Sequence, residues 1–200
     1  MSVHAGTGIF GTYLFLDIDG SPITYGLSET GGASTPDFQG VDLGDFNPIS
    51  MSLTLDGAQA NTFKNGSGDV TGADLFYTVY PTGGPQGSFT QVSLSFAANS
   101  PYTDAGGVSI GGGGDQKWET TNANIDLLAS LAPGDYNLEV YIRASTNEGD
   151  RYHNAGGANY IGSFSISSIP ELSSFVGMGL VSAVFGGMSL RRRQRRARSA

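Results

Sequence analysis

Cysteine is absent from this chain of 200 residues. Without thiols it can form neither a disulfide framework nor a thiolate metal site, so a metal ion would need oxygen ligands or the two histidines. Tryptophan occurs once, and long stretches of Ala, Leu, Glu and Lys that favour helix are few. Glycine, in contrast, occurs 31 times, together with many Ser, Thr, Asn and Asp residues. This composition favours strands joined by turns.

Basic residues are scarce in most of the chain. Residues 1–170 contain four Lys or Arg residues and 17 Asp or Glu residues, a net charge of −13, whereas residues 171–200 carry +5. An acidic body repels the phosphates of DNA and RNA. We therefore predict no nucleic-acid partner for the main domain, and the C-terminal arginines need a separate explanation.

Residues 8–168 place apolar side chains at every second position in several short segments. This period sends successive side chains to opposite faces of a sheet. Clusters of glycine and proline, typical of turns, separate the segments. The pattern predicts an all-β domain of about seven strands, at 13–18, 50–56, 61–64, 75–80, 91–96, 136–143 and 160–166.

One predicted corner carries a resemblance. Residues 131–136 read Leu-Ala-Pro-Gly-Asp-Tyr, which resembles the corner before the penultimate strand of immunoglobulin-like and fibronectin type III-like domains. The resemblance implies an Ig-like antiparallel β-sandwich and a structural role for Tyr136, whose hydroxyl would bond back to the main chain. A jelly roll is the competing architecture.

The segment between the predicted strands at 91–96 and 136–143 contains the one tryptophan, Trp118, close to Asp115. An exposed indole beside carboxylates is typical of a surface that stacks on sugar rings, so these two residues are candidates for ligand binding. The alternative is that Trp118 folds back and fills the core of the sandwich.

Catalytic residues cannot be assigned from the sequence. His153 is the one histidine inside the domain, and no Gly-x-Ser-x-Gly elbow or zinc-ligating His pair accompanies it. The 17 scattered acids do not identify the carboxylate pair of a glycoside hydrolase. We predict a protein that is not an enzyme and has no cofactor. Calcium bound by carboxylates is the open alternative, through pairs such as Asp42 with Asp45 or Asp104 with Asp115.

The C-terminal segment reads as a membrane span. Residues 172–190 are 19 consecutive residues without a charge, and as a helix they would reach about 28 Å, close to the ~30 Å bilayer core. Arginines follow at once, which the positive-inside rule places in the cytoplasm: Arg191, Arg192, Arg193, Arg195, Arg196 and Arg198. The sequence predicts a single transmembrane helix here; the alternatives are a core helix with a solvated tail, or a nucleic-acid patch.

The whole segment 169–200 carries a second resemblance. Ile169, Pro170 and Glu171, then the uncharged stretch 172–190 and the Arg-rich tail 191–200, resemble the PEP-CTERM sorting signal of Gram-negative bacteria. Leu172 stands where that family has its second proline. The resemblance implies export, recognition by a membrane-embedded exosortase, and removal of the tail during delivery to the cell surface or extracellular matrix.

Export also requires an N-terminal signal. We interpret residues 1–7 as the remnant of a signal peptide, because Val3, His4 and Ala5 fit an A-x-A-like cleavage site. The alternative is that residues 9–18 form the apolar region of such a signal. The sequence predicts an exported, surface-sorted, non-catalytic protein with a structural or adhesive role in the cell surface or polysaccharide matrix. A carbohydrate- or calcium-binding module is the alternative, and a glycoside hydrolase is the third.

Overall fold

The computed structural model of the protein describes residues 6–27 and 35–168, which form strands joined by turns. One 3-10 turn, Ala155–Gly157, is present, and the described ranges contain no α-helix. These two ranges are all-β, as the composition predicted. The strands are β1 Gly6–Ile18, β2 Ser21–Gly26, β3 Asp42–Phe46, β4 Leu53–Asn65, β5 Val70–Pro81, β6 Thr90–Asn99, β7 Tyr102–Thr103, β8 Ser109–Ile110, β9 Asp115–Thr120, β10 Ile125–Asp126, β11 Gly134–Thr146, β12 Arg151–His153 and β13 Tyr160–Ile166.

Eleven of these strands form one sheet. Its hydrogen-bonded order is β2-β1-β4-β9-β6-β5-β11-β13-β3, with β10 paired to β4 and β12 paired to β11. Neighbouring strands are antiparallel, except that β13 and β3 are parallel. Strands β7 and β8 form a separate two-stranded ribbon.

Strand β6 connects the two halves of the sheet. Its residues 90–94 pair with β5, and its residues 95–99 pair with β9. Side chains from both halves meet in one apolar core, which includes Leu14 and Leu55 from one half and Leu75 and Leu138 from the other, each fully buried. The sheet therefore folds over on itself around a shared core.

The predicted Ig-like sandwich of about seven strands is wrong. An Ig-like domain divides its seven strands between two separate sheets, whereas here eleven strands belong to one continuous sheet. The continuity arises because β6 pairs with both halves. The prediction also lacked β3, which lies between the predicted strands at 13–18 and 50–56, and β9 and β10, which lie between those at 91–96 and 136–143.

The predicted terminal segments lie largely outside the described residues. This applies to the transmembrane helix at 172–190, and also to residues 1–5 of the predicted signal remnant. Gly6 and Thr7, which were included in that remnant, begin strand β1. Residues 6–27 and 35–168 include no helix with the length and hydropathy that a membrane span requires.

A β-bulge in β4 changes which face its side chains occupy. Phe15 of β1 pairs with Gly57 and Leu16 pairs with Leu55, so Asp56 is an extra residue on β4. Gly57 has a φ of 141°, a conformation that L side chains rarely adopt. Before the bulge, Leu53 and Leu55 point into the core; after it, the inward positions are Ala58 and Ala60.

Candidate functional site

Trp118 is a core residue. It lies on β9 with 8% of its surface exposed, and its Nε1 donates to Oγ1 of Thr62 over 3.1 Å. The ring of Phe96 packs edge-on against it with centroids 5.4 Å apart. The indole therefore offers no open face for stacking on a sugar, and the predicted ligand-binding role of Trp118 needs correction. The ring fills the core, as the alternative interpretation had it.

Asp115 begins β9 directly after the glycine run 111–114 and is half-buried. Its amide donates to the carbonyl of Gly112 over 3.2 Å, and its own carbonyl accepts from Ser100. Its backbone thus closes a turn. Because Trp118 faces inward, the two residues do not form the exposed pair that the sequence suggested.

Tyr136 begins the buried face of β11. Its hydroxyl donates to the carbonyl oxygen of Ala132 over 2.8 Å, which ties the strand to the main chain four residues upstream. Its ring stacks on Phe164 of the neighbouring strand β13 with centroids 5.6 Å apart. Both contacts are structural.

The residues that the sequence assigned to sorting and topology lie outside the described ranges. They are Ile169, Pro170 and Glu171, and Arg191, Arg192, Arg193, Arg195 and Arg196. Their roles remain predictions.

Asp104 is a buried carboxylate in the turn between β7 and β8. Its Oδ2 accepts from the hydroxyl of Tyr13 over 2.8 Å and from Nδ2 of Asn61 over 3.2 Å. Its Oδ1 accepts from the amides of Gly106 and Val108. Burial, and secondarily the bond to Asp104, raise the pKa of Tyr13. The carboxylate holds the ribbon of β7 and β8 against the outer side of β1 and β4.

Glu139 is the second buried carboxylate and lies on β11. It accepts from the hydroxyl of Tyr80 over 2.8 Å, from Nε2 of Gln86 over 2.6 Å and from Nδ2 of Asn159 over 2.6 Å. Burial, and then the bond to Glu139, raise the pKa of Tyr80. Glu139 therefore joins β5, the loop after it and the turn before β13.

Asp74 on β5 is the third buried carboxylate. It accepts from Nη2 of Arg143 over 2.7 Å, from Nε2 of Gln91 over 2.7 Å and from Oγ of Ser93 over 3.0 Å. The bond to Asp74 is the main reason why the pKa of Arg143 is raised above its ordinary value. Three neighbouring strands, β6, β5 and β11, meet at this carboxylate.

His153 lies half-buried between strands. The hydroxyl of Thr12 on β1 is 2.7 Å from its Nδ1, and the hydroxyl of Tyr160 on β13 is 3.3 Å from the same atom. Burial lowers the pKa of the imidazole. The histidine thus connects β12 to β1 across the fold.

A shallow cleft of about 350 Å³ opens beside the bulge of β4. Phe15, Pro22, Ile23, Asp56 and Glu119 are among its lining residues. Burial, and to a smaller extent the charge of Asp17, raise the pKa of Asp56. Glu119 is paired with Lys117 over 3.2 Å. Within residues 6–27 and 35–168, the structure contains no group of three or more acidic or histidine side chains able to hold a metal ion.

The outer surface of β5 and β11 carries a cluster of aromatic rings that the sequence analysis did not bring together. We name it the aromatic face, and it consists of Phe76, Phe89, Tyr141 and Tyr152. Phe76 and Tyr141 are directly opposite on β5 and β11, and their rings stack with centroids 4.8 Å apart and planes within 5°. Both point outward, because their chain neighbours Leu75 and Ile142 are fully buried in the core.

The other two rings extend this surface. Phe89, in the loop before β6, packs edge-on against Tyr141 with centroids 5.0 Å apart. Tyr152 on β12 lies 6.3 Å from Tyr141 and is 54% exposed. Burial, and then the neighbouring Tyr152, raise the pKa of Tyr141. A sequence signal for this surface existed: Phe76 and Tyr141 are large aromatics at positions where an outward-facing strand residue is usually polar.

Comparisons with known proteins do not identify a family. No protein family matches the sequence, and no curated protein is similar to it. Among solved structures, the chain is similar to the CooA pilin subunit from enterotoxigenic Escherichia coli, with 11% sequence identity and a TM-score of 0.27. That likeness covers 78% of this chain and 99% of the pilin subunit. A TM-score this low does not establish a shared fold or a shared function.

Proposed function

We propose that this is an exported, non-catalytic all-β protein with a structural or adhesive role at the bacterial cell surface or in the extracellular polysaccharide matrix. The proposal rests on the hydrogen bonds that the buried carboxylates accept from other parts of the protein. Among the described residues, Asp74, Asp104 and Glu139 are the buried acids. Each accepts at least three hydrogen bonds from side chains or amides that hold the sheet together.

Acid–base catalysis needs a different arrangement. A general acid or base must lie within hydrogen-bond reach of the substrate proton that it transfers. The three buried carboxylates are instead occupied by protein donors. Their geometry serves cohesion of the sheet, and this supports a structural role over a hydrolytic one.

The setting of the protein is proposed from its charges and its C-terminal sequence. The body carries −13 and the last 30 residues carry +5, so an acidic domain precedes a basic tail. We propose a membrane-bound exosortase as sorting partner, because the segment that begins at Ile169, Pro170 and Glu171 resembles a PEP-CTERM signal. Nucleic acid is not proposed as a partner, because of the acidic body.

The intact mass of the protein from each fraction of its native cells tests this proposal. We expect an extracellular or surface form whose C-terminus lies near Pro170 or Glu171. Restoring the second proline of the motif with Leu172→Pro should raise the processed fraction, and Pro170→Ala should lower it. Recovery of the full chain, ending at Ala200, from the cytoplasm alone would contradict the proposal.

A second measurement addresses catalysis. The purified protein should release no reducing sugar from the polysaccharides of the native matrix. Sustained release that the Asp56→Asn or Glu119→Gln variant abolishes would instead assign a glycosidase to the cleft beside the β4 bulge.

A further inference from the structure

The aromatic face is unusual because large rings occupy the solvent side of a sheet whose apolar core lies on the opposite side. Two rows of residues run across the strands here. One row places Gln91, Phe76 and Tyr141 opposite one another on β6, β5 and β11. The next row places Ser93, Asp74, Arg143 and Tyr152 opposite one another on β6, β5, β11 and β12.

Hydrogen bonds hold these two rows in place. Asp74 on β5 accepts from Gln91 and Ser93 on β6 and from Arg143 on β11, which fixes side chains on three adjacent strands. The guanidinium carbon of Arg143 lies 4.9 Å from the ring centroid of Phe76, and that ring in turn stacks on Tyr141. A surface whose side chains are already ordered loses little conformational entropy when it binds a ligand.

The charges of the surface restrict the ligand. Arg143 is paired with Asp74 at 2.7 Å and lies 3.8 Å from Asp150, so its positive charge is already neutralised. The body of the protein carries −13. A polyanion, whether an acidic polysaccharide, a nucleic acid or an anionic lipid surface, would be repelled. Both carboxylates beside the rings, Asp74 and Asp150, are already paired with Arg143, so a cation would find no free carboxylate on this surface. A neutral ligand fits these charges.

The polar side chains beside the rings also distinguish a sugar from a protein partner. Gln91 and Asp150 are exposed next to the half-buried rings, and the centre of a protein interface would bury them at a cost in free energy of desolvation. A polysaccharide presents hydroxyl groups that can hydrogen-bond to Gln91 and Asp150, and its pyranose rings present flat C–H faces to the aromatic rings. The combination of rings with exposed polar side chains therefore favours a hydroxylated ligand.

We propose that the aromatic face binds a neutral hexopyranose polysaccharide, with Tyr152 and Tyr141 contacting the sugar rings and Asp150, Gln91 and the tyrosine hydroxyls bonding to sugar hydroxyls. Asp74 and Arg143 are positioning residues for these rings. This inference names the partner of the proposed adhesive role and rests on that role for its biological setting. Binding by the purified protein, however, is measurable independently of sorting.

The test uses the full chain and neutral oligosaccharides of four linkage types: cello-, laminari-, malto- and manno-oligosaccharides. Titration followed by calorimetry and by NMR should give saturable binding to at least one series. The largest shifts should occur at Tyr141, Arg143 and Tyr152. Emission from Trp118 should not change, because the ring is buried. Absence of saturable binding in all four series at millimolar concentration would overturn the proposal.

Variants locate the site. Tyr152→Ala should weaken binding by about tenfold, which corresponds to about 1.4 kcal/mol, while its melting temperature stays unchanged because the side chain is 54% exposed. Phe10→Ala removes an exposed aromatic side chain of β1 and is the matched control, with affinity unchanged. Equal affinity in Tyr152→Ala and the parent protein would place the ligand elsewhere. Self-association that Tyr152→Ala abolishes, without any glycan binding, would assign the surface to a protein partner.

The two proposals fail in different ways. A processed extracellular protein that binds none of the oligosaccharides keeps the proposed function and removes the glycan site. A full-length cytoplasmic protein that binds them through Tyr152 keeps the glycan site and removes the proposed function.

Discussion

Arg143 on β11 donates from Nη2 to Oδ2 of Asp74, the residue directly opposite it on β5, over 2.7 Å. The carboxylate also accepts from Gln91 and Ser93 on β6, so one acid connects three adjacent strands. Hydrogen bonds to a charged group are stronger than those between neutral groups, and a partly buried ion loses much when a partner is removed. The guanidinium of Arg143 also lies 4.9 Å from the ring centroid of Phe76, so this pair holds one side of the aromatic face in place.

Replacing Asp74 with asparagine should therefore destabilise the protein. Asp74→Asn places an amide nitrogen among groups that donate hydrogen bonds, and we expect a loss of about 1–3 kcal/mol in the free energy of unfolding. Urea denaturation measures it. The control is Asp135→Asn, an exposed acid on β11, whose effect should stay within about 0.5 kcal/mol. Equal effects of the two variants would show that the three bonds to Asp74 contribute nothing to stability.

Removing the hydroxyl of Tyr136 tests the corner before β11. Tyr136→Phe keeps the ring stacked on Phe164 but leaves the carbonyl of Ala132 without this donor. The expected loss in the free energy of unfolding is about 1 kcal/mol. Tyr152→Phe removes a hydroxyl from an exposed ring and should cost much less. If the Tyr136→Phe variant is as stable as the parent, the hydroxyl bond contributes nothing to the free energy of unfolding.

The β4 bulge depends on a glycine. Gly57 has a φ of 141°, which a residue with a side chain rarely adopts. A Cβ at this position would also collide with the carbonyl oxygen of Thr120 on β9. Gly57→Ala should therefore destabilise the protein by more than about 1 kcal/mol, measured as a lower urea midpoint. Gly72→Ala is the matched control on β5, because a Cβ there meets nothing within 4 Å. That control should be neutral or stabilising by up to about 1 kcal/mol.

His153 should make stability fall on mild acidification. Burial lowers its folded-state pKa below the unfolded value of 6.5, so below that pH the unfolded chain binds a proton that the folded protein takes up less readily. The contribution of His153 to the free energy of unfolding is fully present above pH 6.5 and is lost as the pH falls below that value. In the His153→Gln variant, the melting temperature should depend less on pH between neutral pH and the onset of carboxylate titration. An unchanged slope would mean that His153 does not titrate differently in the two states.

Periodicity was reliable where a strand is regular and its inward side chains are apolar. Tyr136, Leu138, Val140 and Ile142 were predicted to share one face, and all four are buried on β11. The same rule divided β4 into two strands. The extra residue Asp56 shifts the inward positions from odd to even numbers, and a fixed period of two cannot follow that shift.

Strand β9 was missed for a different reason. Its inward side chains include Gln116 and Trp118, and its other residues are polar or charged. One apolar residue does not make a pattern of alternation. The strand exists because β4 and β6 each offer it a hydrogen-bonding edge, and such long-range pairing is not encoded in a short window of sequence.

Composition and local pattern were sufficient for the all-β class of the described residues, the charge division between body and tail, and most inward positions of β5 and β11. These features depend on neighbours in the chain. The single folded sheet, the burial of Trp118 and the meeting of Phe76, Tyr141, Phe89 and Tyr152 depend on pairings between residues far apart in sequence. Strand register brings such residues together, and register follows from how the whole core packs.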